Sequence, residues 1–140
     1  MTRTGYEWSP SLEVGSKRMD DEHRELLGRM ARVEELNSRS LDKTAVIDAF
    51  DDFVTCVRFH FTDEEAHMVK MGYPKTDVHH RIHESLLDAL TRYRAELMTS
   101  VHGRFPSSVF DFFKTWITTH IMIVDRQYCD FERARTASGS

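Results

Sequence analysis

Seven histidine, glutamate and aspartate residues recur at about one-turn spacings along this chain, and all but Asp125 stand where its helical pattern calls for apolar side chains. They are His23, His60, Glu64, His79, His83, His120 and Asp125. Residues four apart in an α-helix lie one turn apart on the same face, so the pairs spaced by four point at a common region. Apolar residues continue the same period, as in the stripe His79, His83, Leu86, Leu90, Tyr93 and Leu97. The sequence therefore predicts helices whose buried faces include polar groups.

Glycine and proline residues divide the chain into four such helical segments. We predict helices from about Ser16 to Asn37, from Asp42 to Met71, from Thr76 or Asp77 to Ser100, and from Ser107 to Arg133. Short connections between long helices make neighbours antiparallel. The predicted fold class is all-α, an up-down-up-down four-helix bundle over residues 1–133 with an irregular N-terminal arm over residues 1–16. Residues 134–140 are predicted to form a flexible tail.

Composition and charge narrow the class of protein. The chain has 140 residues, of which 40% are hydrophobic, and this suits one domain with a substantial core. The net charge is -4 and the basic residues are scattered, which argues against nucleic-acid and membrane-surface partners. No apolar run approaches a membrane span, and no signal segment is recognisable, so we expect a cytoplasmic protein. Cys56 and Cys129 are expected to be reduced and unpaired.

The buried polar positions favour a metal site. A single histidine on an apolar stripe is usually a hydrogen-bonded core residue. Five histidines and two carboxylates on four helices are different, because burying each without compensation costs about 1–3 kcal/mol or more. Without thiolates, these ligands suit iron, manganese or zinc. If both carboxylates bridge two octahedral ions, the seven side chains and one bridging oxo or hydroxo group leave one coordination position open.

The motifs that carry these residues resemble those of the bacterial hemerythrins, members of the hemerythrin-like HHE domain family. The resemblance rests on WSPSLEVG in the arm, DDEH around His23, HFTDEE from His60, GYP before the third helix, HHRIH from His79, and WITTHIMIVD from Trp116 to Asp125. It covers roughly residues 6 to 131. The resemblance implies a four-helix bundle with a di-iron site and a bridging oxo or hydroxo group in its core.

The resemblance also implies individual roles. One iron would be held by His79, His83 and His120 and the other by His23 and His60, with Glu64 and Asp125 bridging them. Dioxygen would bind at the iron with two histidines, which keeps an open position. Trp116, Ile117 and Ile121 would line the oxygen pocket, although periodicity alone predicts only core packing for them. Nitric oxide or small anions could take the open position, and an oxygen-consuming enzyme could be a partner.

The ligand set favours reversible binding of dioxygen over its consumption. Oxygen-activating di-iron enzymes built on four-helix bundles use mostly carboxylates. Here the imidazoles outnumber the carboxylates, so the reduced irons are less disfavoured and the oxygen bond need not break. We therefore predict an oxygen carrier, storage or delivery protein rather than an enzyme. A di-iron oxidase or peroxidase, and an oxygen- or redox-sensing domain of a larger signalling protein, remain the alternatives.

Other polar residues near the ligands receive less specific predictions. His67 lies one turn beyond Glu64 on the same stripe. It is predicted either to pack in the core or be partly exposed, or to hydrogen-bond to a metal ligand without binding the metal itself. His80 and His102 are expected to face solvent without a role in the site. Three acidic residues flank the ligands but lie about 100° from them around each helix, so we expect solvated positions. These residues are Glu22, Asp63 and Glu65.

The last helix has a ligand spacing of five instead of four. In a regular α-helix Asp125 would lie about 140° from His120 around the axis. A π-turn could align the two side chains, since such bulges re-aim side chains at functional sites. We instead expect a regular helix, with Asp125 reaching from the flank to lie between two ions.

Overall fold

The computed structural model describes Trp8 and residues 10–39, 42–101 and 103–138. Its helices are α1 (Lys17–Ser38), α2 (Lys43–Met71), α3 (Thr76–Thr99), α4 (Ser107–Thr119) and α5 (Arg126–Ser138). A π-helical segment, His120–Asp125, joins α4 to α5, so these three form one continuous rod. With α1, α2 and α3 this rod completes the predicted four-helix bundle, and the described residues contain no strand. The rod extends beyond Arg133, and the predicted division between bundle and tail stays a prediction.

Local chemistry explains where the helices begin and end. The side chains of Ser16 and Asp42 accept hydrogen bonds from backbone N–H groups three residues later and cap α1 and α2. Gly72 ends α2 with a φ of 71°, a left-handed conformation that costs glycine little. The amide of Tyr73 then donates to the carbonyl of Met68 at 3.0 Å. The predicted end of this helix is confirmed.

The core is packed on both sides of the polar cluster. Toward the N-terminal end of α2, the buried ring of Phe50 contacts the rings of Phe53 and Phe105. On the opposite side, the rings of Tyr73 and Tyr128 lie 6.1 Å apart. These aromatic layers bury large apolar areas and hold the four rods at a fixed spacing around the cluster.

Polar contacts fix the arm and one loop against the bundle. Asn37 exchanges two hydrogen bonds with the backbone of Phe105, at 2.8 and 3.1 Å, and anchors the segment before α4 to α1. In the arm, a short 3-10 helix spans Pro10–Leu12. Arg126, directly after the π segment, donates to the carbonyls of Ser11 and Glu13. The arm therefore packs beside the part of the fourth rod that carries Asp125.

Within the described ranges, no helix combines the length and apolar character that crossing a bilayer requires. Cys56 and Cys129 are not bonded to each other in the structure, and their reduced state stays a prediction. His102, predicted to face solvent in the turn between the third and fourth helices, lies outside the described residues.

Candidate metal centre

The structure brings all seven predicted side chains into one buried cluster. Each is at most 5% exposed. Their ligand atoms form two overlapping sets in which the atoms lie within 4.8 Å of one another. One set adds His79, His83 and His120, here called the three-histidine group, to Glu64 and Asp125. The other adds His23 and His60, here called the two-histidine group, to the same two carboxylates.

Each carboxylate divides its oxygens between the two groups. Oε1 of Glu64 lies 3.0 Å from Nε2 of both His79 and His83, while its Oε2 lies 3.4 Å from Nε2 of His60. Asp125 is arranged in the same way. Its Oδ1 lies 2.9 Å from Nε2 of His120 and its Oδ2 lies 3.1 Å from Nε2 of His23. This is the geometry of two carboxylates that can each bridge a pair of cations.

Most of the atoms that face the centre are buried and have no hydrogen-bond partner among the residues that the structure describes. They are Nε2 of His23, His79, His83 and His120, Oε1 of Glu64, and both carboxylate oxygens of Asp125. The nitrogen–oxygen approaches near 3 Å do not have the alignment of hydrogen bonds. Each orphaned buried group costs about 1–3 kcal/mol. Nitrogen and oxygen donors that converge without protein partners fit divalent cations, so the residues present suit a metal centre.

The fourth rod reaches this geometry through a π-helical segment, so the predicted regular helix is wrong. The amide of Arg126 donates to the carbonyl of Ile121, five residues earlier. The wider turn brings Asp125 back under His120, and their side chains approach to 2.9 Å. A regular helix would have aimed the carboxylate about 140° away. The π segment disturbs the regular i to i−4 backbone hydrogen bonds only locally. In a regular helix, by contrast, the Asp125 carboxylate would lose its contacts with both histidine groups.

Two flanking carboxylates expected in solvent are instead bound to cluster histidines. Glu22 on α1 lies 2.6 Å from Nδ1 of His60 on α2. Glu65 on α2 lies 2.7 Å from Nδ1 of His83 on α3. The prediction considered only the angle around each residue's own helix. A position about 100° from the buried stripe faces the neighbouring helix, and a glutamate is long enough to reach across.

These contacts fix how the histidines point. A carboxylate that accepts a hydrogen bond from Nδ1 leaves the Nε2 lone pair free for a metal. Glu22 and Glu65 therefore orient His60 and His83 toward the centre. The third flanking residue, Asp63, pairs with Arg18 and lies beside Glu22.

Electrostatics in the metal-free cluster favour charged groups despite their burial. Burial alone would lower the pKa of His60, but Glu64 and the hydrogen bond with Glu22 outweigh it and raise this pKa to about 10. Burial likewise opposes protonation of His79, yet Asp125 and Glu64 raise its pKa to about 9. Burial also disfavours the Asp125 carboxylate, and His120 nevertheless holds its pKa well below the usual range. Without metal, protonated histidines balance the negative charge of the buried carboxylates.

Aromatic rings enclose the three-histidine group. Phe61 stacks on His83 with ring centroids 3.6 Å apart, and Trp116 stacks on His120 at 4.4 Å. Trp116 is half-buried, whereas Ile117 and Ile121 are 3% and 2% exposed. The three residues predicted for the oxygen pocket therefore lie on the rod that carries His120. Their contact with dioxygen stays a prediction.

Tyr128 is a contributor that the sequence analysis did not identify. It is fully buried, and its hydroxyl donates to Oε2 of Glu64 at 3.3 Å. Burial raises the pKa of this phenol far above its usual range, so the hydroxyl keeps its proton. Its position three residues after Asp125 was the available signal. His67 is partly exposed and pairs with Glu132 at 2.7 Å, and its supporting role stays a prediction.

Comparison with known proteins agrees with this centre. The hemerythrin family model, described as the hemerythrin HHE cation binding domain, matches residues 14–130. The chain belongs to the hemerythrin family. Within that family it is 29% identical over 126 residues to a bacteriohemerythrin of Clostridium acetobutylicum, covering 88% of this chain and 98% of the relative.

Other hemerythrins match at similar levels. A bacteriohemerythrin of Stenotrophomonas maltophilia is 26% identical over 131 residues, which cover 91% of this chain and 81% of the relative. A myohemerythrin of Theromyzon tessulatum is 26% identical over 123 residues, covering 88% and 90%. The matches span nearly the whole bundle, so the resemblance seen in the motifs is confirmed. Family membership and the cluster together identify a metal-binding protein.

Proposed function

We propose that this chain is a non-haem di-iron protein that binds dioxygen reversibly and serves in its carriage, storage or delivery. At the family level, hemerythrins are oxygen-binding di-iron proteins and not enzymes. The observation that supports the proposal most is the division of the oxygens of Glu64 and Asp125 between the two histidine groups. One carboxylate oxygen for each cation is what a bridged pair of irons needs.

In the proposal each group holds one iron. His79, His83 and His120 bind one ion, His23 and His60 bind the other, and Glu64 and Asp125 bridge them. An oxo or hydroxo group completes the bridge. When bound, the iron pair supplies the electrons that reversible attachment of dioxygen requires. The ion with two histidines has fewer protein ligands, so the open position lies on that side.

The surroundings of the cluster suit reversible binding. The ligand residues are nearly inaccessible to solvent, and apolar rings and aliphatic side chains cover them. Trp116, Ile117 and Ile121 are proposed to line the oxygen pocket and to exclude water. Imidazoles outnumber carboxylates in the ligand set, which favours the reduced irons. Nitric oxide and small anions are proposed competitors at the open position.

Oxygen cycling tests this function. The protein is loaded anaerobically with iron(II), exposed to air and then stripped of oxygen, while its visible charge-transfer absorption is followed. We expect a band that appears with oxygen and disappears on its removal through repeated cycles. The matched control is the Asp125→Asn variant, which lacks one bridging carboxylate. Irreversible bleaching accompanied by continuous oxygen uptake in the unaltered protein would instead identify an oxidase.

A further inference from the structure

Glu65 is held by two histidines of the neighbouring helix. Its Oε2 accepts from Nδ1 of His83 at 2.7 Å, and its Oε1 is paired with Nδ1 of His80. His83 is 1% exposed, the Glu65 side chain 22% and the His80 side chain 52%. The three side chains therefore form a continuous line of contacts that begins in solvent and ends at the three-histidine group.

We propose that His80 is a positioning residue of the metal centre, which holds the carboxylate of Glu65 and through it fixes the ring of His83. This inference rests on the proposed function, because the ring of His83 matters only if its Nε2 binds a metal. His80 itself does not touch the cluster. It extends the ordered contacts one residue beyond the carboxylate that a ligand histidine usually has behind it.

Geometry gives His80 this role. A glutamate carboxylate on a flexible stem can rotate away from one partner, and Glu65 is exposed enough for water to compete for it. His80 occupies the second oxygen, so rotation would break two contacts instead of one. His80 also lies beside Glu84 on α3, with Nε2 of His80 3.7 Å from Oε1 of Glu84. The carboxylate is thus fixed from the solvent side.

The opposite half of the centre has a similar arrangement. Glu22 binds Nδ1 of His60, and Nε of Arg18 lies 3.7 Å from Oε2 of Glu22. In both halves a cluster histidine is backed by a glutamate, and the glutamate by a basic residue at the surface. This repetition on different helices indicates that the outer basic residue belongs to the arrangement. A surface ion pair alone would add little to the stability of the fold.

The test follows metal release from the cobalt(II)-loaded protein into excess chelator. We expect His80→Ala to release metal roughly threefold faster and Glu65→Ala roughly 10–100-fold faster, the range for partners directly behind a ligand. The double variant should match Glu65→Ala alone, since His80 acts through Glu65. His80→Gln retains a side-chain donor and should partly restore slow release. Asp88→Ala, an exposed change on the same helix, is the matched control.

Cobalt(II) absorption provides a readout that a general loss of stability would not move. In His80→Ala the visible bands should shift in the same direction as in Glu65→Ala, while circular dichroism stays that of the unaltered protein. Native release rate and spectrum in His80→Ala, or full additivity in the double variant, would overturn the role of His80 alone. Failure of the unaltered chain to bind cobalt would overturn the proposed function, and with it this inference.

Discussion

Glu64 and Asp125 each present one oxygen to the three-histidine group and the other oxygen to the two-histidine group. Glu64 comes from α2, and Asp125 comes from the π segment of the fourth rod. Both side chains are fully buried. Two such bridges would hold a pair of ions at a set separation, and removing either one would leave both ions with too few ligands.

The first prediction concerns the bridge. Asp125→Asn keeps the size of the side chain but removes the charge and one of two equivalent oxygens. We expect iron content to fall from about two ions per chain to about one or fewer. Elemental analysis of the iron-loaded protein measures this. Asp130→Asn, an exposed change on the following turn, should leave metal content unaltered, and equal losses in both variants would contradict the bridging role.

The second prediction concerns the π segment. Deleting Ile123, which is 55% exposed, shortens the spacing from His120 to the aspartate to four residues. A regular α-helix then aligns the two side chains to within about 40°. We expect the variant to fold and to keep most of its metal. Deleting Thr118 from α4 rotates His120 relative to the preceding helix, and should abolish metal binding. If the Ile123 deletion lost its metal as the Thr118 deletion does, the role assigned to the π segment would be wrong.

Metal removal should destabilise the fold. Without ions, the clustered carboxylates and imidazoles face one another in a nearly dry core, so binding free energy contributes directly to stability. We expect chelation to lower the melting temperature by about 10 °C. Differential scanning calorimetry with and without chelator measures the change. In Asp125→Asn the shift should be much smaller, and an equal shift there would assign the effect to the chelator.

The metal-free protein should lose stability as pH rises above neutrality. The pKa values of His60 and His79 are raised to about 10 and about 9, whereas unfolded histidine titrates near about 6.5. Their charged forms therefore stabilise the fold fully below about pH 6.5, and this contribution disappears as pH rises to about 10. Urea denaturation of the metal-free protein across this window measures the loss.

The iron-loaded protein should not share this loss of stability, because above about pH 6.5 its metal-bound histidines and those of the unfolded chain are both neutral. Metal binds neutral imidazole, so raising the pH from about 6.5 to 10 strengthens binding and widens the stability gap between loaded and metal-free protein. A metal-free protein whose stability is constant over this range would contradict the charged state assigned to His60 and His79.

Helical periodicity was sufficient to predict the bundle and to place the five histidines and Glu64 on buried faces, whereas Asp125 lies off the stripe of a regular helix. Spacings of four place His60 with Glu64 and His79 with His83 on buried stripes, and the flanking apolar residues show which face is inside. These relations lie within single helices, where angle and rise are nearly constant. The ends of α2 were predictable for a similar reason, because caps such as Asp42 and Gly72 act locally.

Relations between helices were less predictable. The contacts of Glu22 with His60 and of Glu65 with His83 depend on how neighbouring helices are rotated and spaced, which periodicity does not specify. The π segment was recognised as an option from the spacing of five, but a regular helix was predicted because an aspartate that lies between two ions need not point in the same direction as His120. The π-helical backbone is what brings the Asp125 carboxylate within 3.1 Å of both histidine groups.

The distance between the two metal ions distinguishes a bridged pair from two independent sites. X-ray absorption at the iron edge of the loaded protein reports the metal–metal separation and the number of imidazole ligands. We predict an iron–iron vector of about 3.5 Å, as in two-metal sites, with an average of between two and three imidazoles on each iron. A spectrum without an iron–iron vector at two ions per chain would contradict a centre bridged by Glu64 and Asp125.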